Sequence, residues 1–109
     1  MRILFDQGTP VPLRKLLSSH QVETTFERGW STLSNGDLLA AAEREGFEGF
    51  EVFVATDKNI RDQQNFGGLR IAIVVLSSTS WPRIQKAATI VKQAIEATLA
   101  GSFKEVDIP

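Results

Sequence analysis

Arg70-Ile71-Ala72-Ile73-Val74-Val75-Leu76 is the stretch on which the fold turns. A strand with one wet face alternates apolar and polar residues. An unbroken apolar run of this length is the mark of a strand covered on both faces, so the sheet it belongs to needs helices above and below. Downstream, Ser80 and Pro82 open a long helix, Trp81 to Ala100, with a buried stripe of Ile84, Ala88, Val91, Ile95 and Leu99 and a stop at Gly101. Ser102 to Ile108 is then a last edge strand or a tail. Upstream, Glu51 to Thr56 (EVFVAT) reads as a strand, joined to the apolar run by a polar, Gly-containing stretch from Asp57 to Gly68 that is irregular or briefly helical. Before it, Ser34-Asn35-Gly36-Asp37 opens a helix carrying Leu38, Leu39, Ala41 and Ala42, with Gly46 near its end. Val22 to Phe26 (VETTF) is rich in β-branched residues and reads as a strand. Arg2 to Phe5 (RILF) is another, ended by Asp6-Gln7-Gly8. Between these two, Pro10 and Pro12 lead into Leu13, Leu16 and Leu17 at helical spacing. Strands alternating with helices imply a mostly parallel sheet in a three-layer α/β/α domain.

The composition limits the chemistry. The chain has 109 residues, 42% of them apolar, with 12 Lys+Arg against 13 Asp+Glu and a net charge of -1. One domain spanning residues 1–109 is expected at this length. The absence of cysteine excludes thiolate zinc sites, iron–sulfur clusters and disulfides, and the single histidine excludes His-rich metal sites. The near-neutral balance argues against a basic nucleic-acid coat protein but leaves room for a local basic patch. No apolar run nears the ~20 residues of a membrane helix, and no signal-peptide pattern opens the chain. The expectation is a cytoplasmic protein that makes no use of a membrane.

In an open parallel sheet, ligands bind outside the carboxyl ends of the strands, where the following helices begin. Three aspartates hold such positions: Asp6 after the first strand, Asp57 after the third, and Asp37 in the first turn of the second helix. Together they would make a negative cleft suited to Mg²⁺ or Mn²⁺. Each also has a local reading. Asp37 lies three residues after Ser34 and fits a capping box, while Asp57 and Asp6 fit turns. Around the same rim, Lys58, Asn59, Arg61 and Ser77 are candidate substrate-binding residues, with Arg28 and Arg70 as further phosphate contacts. Ser77-Ser78-Thr79-Ser80 leads into the long helix, where Ser80 is the candidate N-cap. Trp30 is placed either to stack on a base or to pack in the core. Trp81 is read as packing, and His20 as a surface residue on the opposite rim.

ILFDQGTP at residues 3–10, LSNGDLLAAAEREGF at 33–47 and VFVATDKNI at 52–60 resemble the short PIN-like family found in bacterial toxin–antitoxin contexts. The likeness covers Met1 to about Val75. It implies a trimmed PIN nuclease fold, related to VapC-type toxins, in which Asp6, Asp37 and Asp57 match the family's acidic positions. Those three would be both metal ligands and catalytic residues. The implied activity is Mg²⁺- or Mn²⁺-dependent hydrolysis of RNA, and the implied partners are a cognate antitoxin and a second copy in a homodimer. The chain departs from the family pattern at Gln7, where Glu is common, at Gly8, where Asn is common, and at Asn59, where Asp is common. It also has no acid within Leu13–Ser18. This reduced acidic set supports a rival reading, a PIN-like module that binds RNA or a partner protein without cutting. A phospho-receiver domain also places aspartates after its first and third strands. Gln7 after Asp6, and Ser rather than Lys after the fourth strand, rank that reading lower.

Overall fold

The computed structural model describes residues 1–43, 49–57, 60 and 70–109. The sheet has five strands, β1 (Arg2–Phe5), β2 (Gln21–Thr24), β3 (Val52–Ala55), β4 (Ala72–Leu76) and β5 (Phe103–Val106). Their order is β2-β1-β3-β4-β5 and every pairing is parallel. Ser102–Ile108 therefore contributes an edge strand, with Val74 opposite Lys104.

β3 and β4 are apolar at every position, and β1 at every position after Arg2, because each of these side chains meets a covered face. Ile3, Phe5, Val52, Val54, Ala72, Val74 and Leu76 project to one side. They are covered by Leu13 and Leu17 of a 3-10 helix (Val11–Leu17) and by Ile84, Ala87, Val91 and Ile95. Leu4, Phe53, Ala55, Ile71, Ile73 and Val75 project to the other. That side is covered by Leu38, Leu39 and Ala42 of α1 (Asn35–Glu43), together with Phe50 and Ile60. The period of two along each strand thus separates two cores, and the three-layer α/β/α expectation holds.

The helices differ in detail from the sequence reading. Pro10 caps the first in extended backbone, and the Leu13 N–H reaches the Pro10 carbonyl at 3.1 Å, a 3-10 turn. The long C-terminal helix is two pieces, α2 (Trp81–Lys86) and α3 (Ala88–Glu96). They meet at Ala87 (φ -100°, ψ 17°), whose N–H is shared between the Arg83 and Ile84 carbonyls. Ala87, not Ala88, therefore joins the buried stripe. Leu99 is 75% exposed. The helix ends early because the Thr98 hydroxyl donates to the Ile95 carbonyl at 2.9 Å, and Gly101 follows at φ +75°. Ser80 occupies the N-cap position of α2 without a side-chain cap bond, and Trp81 packs against the core. The stop expected at Gly46 lies outside the described residues. No helix among the described residues is long and apolar enough to cross a membrane.

Glu43, at the end of α1, ties that helix to the start of β4. Its carboxylate accepts the N–H groups of Arg70 at 2.8 Å and Ile71 at 2.9 Å. Glu43→Ala is expected to cost about 1–3 kcal/mol, the range for leaving donors unsatisfied, read as a lower urea midpoint at unchanged m-value.

Candidate functional site

In this strand order the chain leaves β1 for β2 on one side and returns to β3 on the other, so the crevice opens between the carboxyl ends of β1 and β3. Asp6 follows β1 directly. Its N–H donates to the Val54 carbonyl at 3.0 Å, which fixes the side chain at the strand end. Oδ1 accepts from the Thr9 hydroxyl at 2.5 Å and Oδ2 accepts from the Thr56 N–H at 3.2 Å. Gly8 allows this tight loop, since a Cβ there would sit 2.2 Å from Thr56 Oγ1.

Burial raises the Asp6 pKa above the usual carboxylate value. The Thr9 hydroxyl and the Thr56, Thr9 and Gly8 amides pull it down without cancelling that effect. The Thr9 hydroxyl also lies 3.0 Å from the Val54 carbonyl, so its one proton faces two acceptors. A protonated Asp6 resolves this by donating to Thr9 Oγ1, which releases the hydroxyl proton to Val54. The sign for stability follows. Folded Asp6 holds its proton more tightly than the unfolded chain does. Stability therefore falls as pH rises above the ordinary carboxylate range, through the raised value. Asp6→Asn can mimic the protonated state, its carbonyl accepting from Thr56 and its amide donating to Thr9. This variant is expected to melt higher than the parent at neutral pH, with the gap closing on acidification, as a thermal melt series would show.

Asp57, after β3, shares with Asp6 a cavity of about 150 Å³, whose wall also includes Gln7, Trp30 and Leu38. The Gln7 amide donates to the Ser31 carbonyl at 3.3 Å. Asp37 does not line that cavity. It is exposed in the first turn of α1, where its N–H donates to Ser34 Oγ at 3.4 Å, the serine's half of a capping box. Among the described residues, no three of His, Asp or Glu gather as a metal-holding group. The expected convergence is thus a pair, Asp6 and Asp57, and not a trio. A pair remains chemically suited to Mg²⁺, which takes one or two carboxylates and fills its other positions with water and substrate phosphate.

The other candidates scatter. Ser77 Oγ accepts the Ile108 N–H at 2.7 Å and lies 3.4 Å from Asp107, so it anchors the C-terminal segment and lines neither this cavity nor the larger one described below. Arg70 precedes β4 and so belongs to the opposite rim. Lys58, Asn59 and Arg61 lie outside the described residues. Arg28 stacks over the Trp30 ring, 4.8 Å from its centroid, and pairs with Glu23 at 3.4 Å. Trp30 itself meets the Phe50 ring edge-on at 6.2 Å and is partly buried against the second core, as the packing reading expects. His20 is on the opposite rim as expected, yet largely buried, with Nε2 2.8 Å from Glu96 and Nδ1 3.2 Å from the Met1 amine.

A second cavity, about 520 Å³, was not foreseen in the sequence. Asp6, Gln7 and Thr25 line both cavities, and Val11, Arg14 and Phe26 complete much of the larger wall. It exists because β2 stops at Thr24, short of Phe26. The Thr24 hydroxyl accepts the Glu27 N–H at 3.1 Å while the Glu27 carboxylate accepts the Thr24 N–H at 3.0 Å, a reciprocal capping box. Gly29 at φ +74° closes the turn, leaving Phe26 79% exposed. The signal was present in the Thr-x-x-Glu spacing of residues 24–27. The Arg14 guanidinium grips Glu27 and holds that carboxyl below its usual pKa. No family model, curated protein or solved structure matches the chain.

Proposed function

We propose that this chain is a PIN-like metal-dependent phosphodiesterase acting on RNA. The observation that carries this reading is the pair Asp6 and Asp57, delivered by neighbouring strands to one small cavity at the switch point. In this reading the two carboxylates hold Mg²⁺ or Mn²⁺. Such an ion, when bound, activates water and takes up charge on the scissile phosphate. Asp6 must be ionised to ligate, so metal uptake releases a proton and weakens in acid. The toxin role, the antitoxin, the homodimer and the cytoplasmic setting rest on the family resemblance alone.

The test is cleavage of a single-stranded RNA in Mg²⁺ or Mn²⁺ against an EDTA control, with a melting curve beside it. The melting temperature is expected to rise with added metal, since an ion bound only by the native state at a hundred times its Kd contributes about 2.7 kcal/mol. A metal-independent melt and intact RNA overturn the reading. The non-cutting binding module would then stand in its place. That second reading is favoured by the absence of a three-carboxylate group among the described residues and by the donors already bonded to both Asp6 oxygens.

A further inference from the structure

Two residues that line the larger cavity each carry a buried polar atom that has no partner among the described residues. Thr25 is 2% exposed, and among the described residues its buried Oγ1 makes no hydrogen bond; Arg14 Nε is buried and unpaired in the same way. Stranded donors and acceptors are costly in a protein interior, and they mark places where another molecule completes the bonding. Beside them are two apolar side chains turned to solvent, Phe26 at 79% and Val11 at 54% exposure. A cavity of about 520 Å³ is in the size range of small-molecule sites, which combine apolar walls with a few placed polar groups. Its occupant should therefore be flat, apolar on its faces and polar at its edge.

The position narrows the choice. Because Asp6, Gln7 and Thr25 belong to both cavities, a group in the larger one adjoins a phosphate placed at Asp6 and Asp57. We propose that the larger cavity is a nucleobase pocket, in which a base turned out of its stack lies against Phe26 with its edge on the Thr25 hydroxyl. Arg14 Nε–H then donates to an oxygen of the same nucleotide. A paired base cannot enter, because its edge is already bonded to its partner and its faces are stacked. The pocket rests on the phosphodiesterase reading for its neighbour but not for its own chemistry, so the two are separable.

The experiment measures binding without metal, using the full chain in EDTA and a short single-stranded RNA carrying 2-aminopurine, beside the same RNA in a duplex. The single strand is expected to bind at least about tenfold more tightly than the duplex. Phe26→Ala should weaken single-strand binding about tenfold (~1.4 kcal/mol) and abolish the fluorescence change of the stacked base, with the melting temperature unmoved because Phe26 is exposed. Thr25→Val keeps the side-chain shape and removes the stranded hydroxyl, so it should raise the melting temperature while weakening the RNA. A purely structural threonine would not give that opposed pair of effects. Equal affinity of parent and Phe26→Ala for the single strand, tighter binding of the duplex, or no RNA binding at all overturns the pocket. Phe26-dependent binding without any cleavage in Mn²⁺ upholds the pocket and overturns the phosphodiesterase.

Discussion

Phe53→Ala is expected to remove about 3–5 kcal/mol of stability, a large part of the ~5–15 kcal/mol that holds a domain of this kind together. Phe53 is fully buried in the middle of β3, opposite Leu4 of β1 and Ile73 of β4. It belongs to the core beneath Leu38, Leu39 and Ala42 of α1. Truncating it loses the transfer of a phenyl ring from water and leaves a void that strands bonded on both sides cannot close. Urea denaturation should show the midpoint falling steeply at nearly constant m-value. Phe26→Ala is the internal control, since an exposed ring contributes little. Comparable losses at the two positions would mean that the sheet is not the centre of the cooperative unit.

On the phosphodiesterase proposal, Asp57→Asn is expected to cut RNA cleavage at least about a hundredfold. An ion that stabilises transition-state charge contributes several kcal/mol, and each ~1.4 kcal/mol is tenfold in rate. Asp57 is exposed and asparagine keeps its size, so a melting curve taken beside the rate separates a loss of chemistry from a loss of fold. Asp37→Asn separates the two versions of the site. Since Asp37 lies off the cavity wall, its loss should reduce cleavage less than tenfold. An equal collapse of activity at both positions would restore the trio that the family resemblance implies. Full activity in Asp57→Asn would remove the site altogether.

The strands were legible because burial on both faces leaves a mark in the sequence itself. Residues 52–55 and 72–76 are apolar without interruption, and no amphipathic helix needs that. The placement of Asp6 and Asp57 was legible for a related reason, since parallel strands deliver the residues after them to one rim. Asp37 was not, because knowing that a residue starts a helix does not say which way the first turn faces. Strand and helix ends were also hidden, since single side-chain bonds decide them. Thr24 with Glu27 stops β2 within a run of β-branched residues, and Thr98 ends α3 before the glycine that looked like the stop. The same ambiguity leaves the aromatic at the rim open between stacking and packing. Trp30 packs against Phe50 and Arg28, while Phe26, whose run reads as strand, is 79% exposed.

The two outer strands differ from the three inner ones in a way that bears on behaviour at high concentration. β2 carries Gln21 and Glu23, and β5 carries Lys104 and Glu105, while β3 and β4 hold no polar residue at all. Charge on a rim strand discourages edge-to-edge pairing between molecules. β5 is kept in place by Ile108, which is buried, and by Arg83, which donates to the Ile108 and Pro109 carbonyls. A chain clipped after Ala100 would lose that guard and present Ala-Ile-Val-Val-Leu as an open template for cross-β aggregation.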